Sequence, residues 1–181
     1  MIRFNFDKDK SISSVLFILN KLGKTDFHKV CKILYFADQK HLTKYGNPIT
    51  GDFYIAMKNG LVPSNVYDIL KAIRNNFSFN LNTNELKDLF EVHGNHDVTA
   101  KVNADLDFLS ETDVECILNS IEENKNLSFA DLTDKSHNTA WNKATRDNEI
   151  SFLDIATDGG ANDVMINYIK MVSENQRFAL A

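Results

Sequence analysis

Residues 25–49 read Thr25-Asp26-Phe27-His28-Lys29-Val30-Cys31-Lys32-Ile33-Leu34-Tyr35-Phe36-Ala37-Asp38-Gln39-Lys40-His41-Leu42-Thr43-Lys44-Tyr45-Gly46-Asn47-Pro48-Ile49. The order of apolar side chains in this stretch decides what kind of fold surrounds it. Phe27, Val30, Cys31, Leu34, Asp38, His41 and Tyr45 fall on one face of a helix, and Ile33 and Phe36 widen its apolar coverage. A helix covered in this way is expected to be nearly engulfed by the rest of the chain. Gly46 can end it in a left-handed conformation, and Pro48 just beyond prevents its continuation.

Working outward toward the N-terminus, Ile12, Val15, Leu16, Leu19 and Leu22 keep a helical stripe, with Ser11 placed to cap it and Gly23 to end it. On the other side, Asp52 to Met57 alternates as in a short strand, and Ser64 opens a helix carrying Val66, Ile69, Leu70 and Ile73. Leu89 to His93 and His96 to Val102 alternate on either side of Gly94-Asn95, which fits a hairpin with a two-residue turn. Ser110-Glu111-Thr112-Asp113 resembles a capping box ahead of Val114, Ile117, Leu118 and Ile121. Residues 128–146 suggest one or two short helices, and Asn162 or Asp163 begins a last one carrying Met165, Tyr168, Ile169 and Val172. The expected fold is α+β and predominantly α-helical, a single compact domain over residues 1–181 with a small antiparallel sheet or hairpin.

Composition narrows the function. With 43% apolar residues, 181 residues can bury one sizeable core. The 20 basic and 25 acidic side chains leave a net charge of −5, a field that repels phosphate backbones, so no nucleic-acid partner is expected. The apolar run Val15 to Leu19 is far too short to span a bilayer, and Met1 to Asp7 carries no signal-peptide pattern, so a cytoplasmic protein without a membrane partner is expected. Cys31 and Cys116 lie inside helical patterns without a CxxC pair and are read as buried free thiols.

Motifs that tie chemistry to a backbone shape, such as GxSxG, a P-loop, HExxH or a dinucleotide fingerprint, do not occur, so no catalytic residue, cofactor or metal is expected. His93 and His96 flank the hairpin turn closely enough to share a metal, but only Glu91 or Asp97 is near as a further ligand, and the pair is read as polar residues at a solvated turn. Asp38 and His41 lie three apart on the apolar stripe, so they can pair with each other. They are read as internal hydrogen bonding that orients helix and loop, against the alternatives of a polar spot in a recognition groove or an acid/base pair. His137 and Trp141, four apart, pose the choice between packing and an interface anchor.

Lys32-Ile33-Leu34-Tyr35-Phe36-Ala37-Asp38, then His41-Leu42, then Tyr45-Gly46-Asn47-Pro48-Ile49 resembles the signature of the Panacea antitoxin-domain family, which has SocA-like and phage-associated GepA-like members. Phe53, Ala56 and Gly60-Leu61-Val62-Pro63-Ser64-Asn65-Val66-Tyr67 resemble the next family segment, although Leu61 stands where the pattern has proline and Pro63 comes one position early. Leu132 to His137 and Ala140-Trp141 look like a third, so the likeness covers residues 25 to about 145. The resemblance implies a mostly helical domain that neutralises a cognate toxin protein by direct binding. A proteolytic adaptor that delivers the toxin to an ATP-dependent protease is the runner-up, and an unrecognised hydrolase or a DNA-binding regulator follows at a distance. Tyr35, Phe36, Asp38, His41, Tyr45, Gly46, Pro48, Gly60, Val62, Tyr67, His137 and Trp141 carry the motif, as scaffold or partner contact. Because one scaffold meeting diverse toxins places specificity on variable surface, Phe79, His93, Asn95 and His96, with the loop from Phe77 to Lys87, are the expected toxin contact. The ending Ala179-Leu180-Ala181 is read as a frayed terminus, or alternatively as resembling the C-terminal tags that such proteases read.

Overall fold

The protein is described by a computed structural model covering residues 2–78 and 80–178. Phe79 and the ending Ala179-Leu180-Ala181 lie outside the described residues. The chain is mostly helical with two small antiparallel sheets, as expected. Its first half runs α1 (Lys8–Leu22), β1 (Thr25–Asp26), α2 (Phe27–Tyr45), β2 (Tyr54–Met57), β3 (Gly60–Pro63) and α3 (Ser64–Asn75). Then come α4 (Thr83–Leu89), β4 (Phe90–His93), β5 (Asp97–Ala100), a 3-10 turn (Leu106–Phe108), α5 (Glu111–Asn124), α6 (Phe129–Ser136), α7 (Thr139–Lys143), α8 (Phe152–Asp158) and α9 (Asp163–Phe178).

Helix α2 is the axis of the molecule because its sequence is apolar on more than one face. Val30 to Asp38 is an unbroken buried run. One side of it packs with Leu16, Ile18, Leu70 and Ile117 from α1, α3 and α5; the other meets Tyr54, Leu61, Ile155 and Ile169. The polar side chains caught in that run, Lys32 and Asp38, must therefore find partners inside the protein. The ends of α2 follow its sequence. Asp26 accepts the Lys29 amide at 2.8 Å, and Gly46, at φ +83°, donates its amide to Leu42 O at 3.0 Å. A Cβ on Gly46 would overlap the Tyr168 ring of α9, so the left-handed cap also lets that helix approach.

Several expected boundaries move, each for a local reason. Helix α1 is capped by Asp7, which accepts the Lys10 amide at 3.0 Å; Ser11 sits inside the helix, its hydroxyl donating back to Asp7 O at 2.6 Å. The strand expected from Asp52 begins at Tyr54, because Asp52 turns inward and accepts the Asn65 and Val66 amides at 3.0 and 2.9 Å. It thereby caps α3, whose own N-cap residue, Pro63, has no side-chain acceptor. Burial raises the Asp52 carboxyl to about 6. The partner strand β3 and helices α4 and α8 lie where the sequence reading placed none. Asn82 caps α4 within the supposed loop from Phe77 to Lys87, and Ser151 caps α8.

The hairpin between β4 and β5 is present, but His93 pairs with Asp97, so its loop holds Gly94, Asn95 and His96 instead of two residues. His96 is withdrawn from the ladder because its carbonyl accepts the Phe27 amide at 2.8 Å, where β1 leads into α2. Ser110 and Asp113 do form a reciprocal capping box at the start of α5. Both cysteines are free and buried, and among the described residues no helix is long and apolar enough to cross a membrane.

Candidate functional site

The first turn of α2, the β2–β3 hairpin, α3, the β4–β5 loop and the start of α6 surround a groove of about 500 Å³. Its walls are apolar and aromatic, with Phe27, Cys31, Met57, Val62, Tyr67 and Phe129 lining it. Polar groups enter at three places: Asp26, His28 and Lys32 where β1 leads into α2, Lys58 and Asn59 from the hairpin tip, and His96 from the β4–β5 loop. A cavity of this size, mostly apolar with a few converging polar groups, is the common form of a binding site.

The hairpin tip forming one rim is held by three side chains from two helices, α2 and α7. Trp141 Nε1 donates to Met57 O at 3.0 Å, His28 Nε2 to Asn59 O at 3.3 Å, and Lys32 Nζ to Leu61 O at 2.7 Å. Alternate carbonyls of one turn are thus taken in sequence. Ser136 packs against Gly60 at the centre of the clamp, and the His137 ring stacks on Trp141 with centroids 4.0 Å apart. The indole is thus fastened to the hairpin, and its neighbour lies flat against it.

Two groups of the clamp have unusual protonation. Lys32 is fully buried, and its ammonium faces a carbonyl and not a carboxylate. Burial lowers it to about 7. A lysine that is easier to deprotonate in the folded state binds fewer protons there than in the unfolded chain between about 7 and its ordinary 10.5, so stability rises with pH across that window. Lys32→Met should remove the slope and be at least as stable as the native protein near pH 7; denaturant melts from pH 6 to 10 check it. His28, stacked on Phe129 with centroids 3.9 Å apart, is lowered to about 4, first by burial and then by the Lys32 charge, and is neutral at pH 7. Its hydrogen lies on Nε2, because the carbonyl of Asn59 can only accept, and the hydroxyl of Thr133, 3.2 Å away, already donates to Phe129 O. Nδ1 is then a bare acceptor, buried and without a partner among the described residues.

Asp38 and His41 do not pair with each other as their spacing allowed. Four donors reach Asp38 first: the Ile49 and Thr50 amides at 2.8 and 3.2 Å, Thr50 Oγ1 at 2.6 Å and Tyr54 Oη at 2.7 Å. His41 turns the other way, Nδ1 donating to Asn47 O at 2.6 Å while Nε2 lies 3.0 Å from Thr112 Oγ1. Both fasten α2 to the loop that follows it, and Pro48 is buried in that loop. Tyr35 accepts from Asn138 Nδ2 at 2.7 Å, Phe36 lies under Lys135 Nζ at 4.5 Å, and Tyr45 donates to Glu115 at 2.8 Å. Of the expected contact residues, His96 lines the groove and Asn95 is exposed beside it, whereas His93 is engaged with Thr99 Oγ1 at 2.9 Å. The His96 ring lies edge-on to Phe27, so the two imidazoles serve different partners, and no metal-ligating group of three or more forms among the described residues.

The family model described as antitoxin SocA-like, Panacea domain, matches residues 30–142, more than half of the chain. The chain belongs to that family. The matched span holds most of this Panacea domain's groove and all of its clamp except His28, which stands just before it. Neither a curated protein nor a solved structure matches the chain. Within the Panacea signature, Gly60, His137 and Trp141 converge on the hairpin tip, and Val62 and Tyr67 on the groove wall beside it. Lys32 and His28 escaped the sequence reading as site residues. The available signal was a lysine in the middle of an otherwise buried helical run, which has to reach an internal acceptor.

Proposed function

We propose that this Panacea domain neutralises a cognate toxin by direct protein–protein binding, with the groove at the start of α2 as the contact. The observation that carries the reading is an open, aromatic-walled cavity held in shape by residues of the family motif. Half of Phe129 is exposed at its edge, 52%, and the polar loop of Asn95 and His96 borders it. Aromatic walls that are already ordered, with a polar border, suit the anchor residues that dominate protein interfaces. A net charge of −5 favours a partner with a basic surface.

Co-expression with a toxin that the chain neutralises should restore growth and yield a co-eluting complex in which the toxin persists undegraded; loss of the toxin only where an ATP-dependent protease is present would instead indicate delivery. Phe129→Asp, at an exposed position, should weaken the complex about tenfold or more while the melting temperature stays within about 2 °C of the native protein. Failure of the purified chain to bind any neighbouring toxin, or turnover of a substrate by the chain alone, would remove this reading.

A further inference from the structure

A second apolar surface lies beyond the far end of β5, where residues 101–109 form a strap against α1. Val102, Ala104, Leu106 and Phe108 alternate there with Asn103, Asp105 and Asp107. Such alternation reads as a strand with one buried side. Instead the strap coils into the 3-10 turn, and its large apolar side chains stay in the open: Leu106 is 55% exposed, Phe108 46% and Val102 39%. The backbone presenting them is nevertheless fixed. The Lys101 amide donates to Leu89 O at 2.8 Å, the Asn20 side chain donates to Val102 O at 3.0 Å and accepts the Ala104 amide at 2.8 Å, and Leu109 is buried at the end. Apolar side chains held on an ordered backbone lose little freedom when they are covered.

Between the strap, α1 and α4 opens a recess of about 260 Å³ with Ile12, Leu16, Leu89, Val102 and Phe108 on its walls. Its rim is acidic. Asp9, Glu85 and Asp105 stand there against one ammonium, Lys8, and Asp107 adds a fourth exposed carboxylate on the strap. None of the four has an ion-pair partner among the described residues. The other lysines nearby are engaged: Lys10 with Asp113 at 2.7 Å, Lys101 with Lys87 O at 2.8 Å, and Lys21 over the Phe17 ring. We infer that this recess docks a cationic amphipathic segment of a partner protein, with large apolar side chains flanked by lysine or arginine. The apolar groups fill the space beside Phe108 while the cations meet Asp9, Glu85 and Asp105. Charge selects this occupant over others, because uncompensated carboxylates repel nucleic acid and anionic lipid, and a second copy docked face to face would set the same carboxylates against each other. The surface is separate from the groove at the start of α2, and the inference does not depend on the toxin contact proposed there.

The test titrates the native protein with a short synthetic helical peptide, leucine on one face and lysine on the other, and follows the backbone amide resonances. Two comparators replace its lysines with glutamate or its leucines with serine. The leucine–lysine peptide should bind with a Kd of about 10–100 μM at low salt and about tenfold more weakly in about 0.5 M salt. Neither comparator should reach about a tenth of its affinity. The shifted amides should be those of residues 101–109, Asp9, Ile12 and Glu85. Asp9→Asn/Asp107→Asn removes two charges whose carboxylates bond nothing among the described residues, so the Kd should rise about fivefold with the rest of the spectrum unchanged. Equal binding of either comparator, or shifts confined to the groove around Lys58 and His96, overturns the inference. So does dimerisation of the native protein that Phe108→Ser abolishes, which would give the face to a second copy. The peptide comparison uses the native protein throughout and stands whether or not a variant folds. Because no toxin is present, its failure is distinct from failure of toxin binding.

Discussion

Asp38→Ala is expected to cost about 3–5 kcal/mol and to lower the melting temperature by about 10 °C, because it strands four donors in the middle of the protein. The amides of Ile49 and Thr50 cannot turn toward water, and Tyr54 is buried between α2 and its own strand. Asp38→Asn should be far milder. One amide oxygen can accept the two backbone N–H groups, and the hydroxyls of Thr50 and Tyr54 can rotate to accept from the NH₂. The two variants also separate charge from hydrogen bonding. Burial raises the Asp38 pKa above its ordinary 3.8 despite the bonds from Thr50 and Tyr54, so the folded state holds this proton more tightly than the unfolded chain. Its contribution is therefore fully present below 3.8 and is lost as pH rises through the folded value; the Asn variant should lack that decline. Thermal melts of the three proteins between pH 4 and 8 measure both effects. An Ala variant as stable as the native protein would mean that the loop from Asn47 to Tyr54 is not held from α2.

The second large effect is expected at Gly60, where φ is +93° and an added Cβ would overlap Ser136 Oγ and stand 2.6 Å from Lys32 Nζ. Gly60→Ala should destabilise by about 2–4 kcal/mol, combining left-handed strain with displacement of α6 from the hairpin. Removing the hydroxyl in Gly60→Ala/Ser136→Ala should recover part of the loss, about 1 kcal/mol, whereas Ser136→Ala alone should change little. Strain would remain in the double variant because the backbone dihedral is unchanged. If Gly60→Ala keeps its stability but loses binding at the groove, the clamp serves contact instead of shape, and the family glycine would belong to the interface.

How much of this was legible in advance depends on how far each cause reaches along the chain. Helix α2, its glycine end, the helix after Ser64, the capping box at Ser110 and the hairpin near Gly94 follow from neighbours within a few residues, where spacing and side-chain chemistry act directly. Strand β3 was missed because Gly60-Leu61-Val62-Pro63 is too short for alternation to speak, and it becomes a strand only by pairing with Tyr54 to Met57. The short helices α4 and α8 lack the length over which a period of 3.6 accumulates. The same limit governs the site. Val62, Tyr67 and His96 were singled out by motif or loop position, but nothing local to Lys32 indicates that it will meet Leu61, or that His28 will face Asn59 and Phe129.

The sequence by itself determined a mostly helical protein around one engulfed helix and the resemblance that places it among Panacea domains. It also determined that the carboxylate of Asp38 within that helix would need internal partners, because burial of the run and the cost of an unpaired polar group are both local consequences of composition and period. The tertiary structure alone decided who those partners are. Asp38 and His41, adjacent on one helix face, part company because four donors converge on the carboxylate while the imidazole finds Asn47 and α5. Trp141, far along the chain from His28 and Lys32, meets them on one turn because competition among donors for buried acceptors is settled in space and not along the sequence.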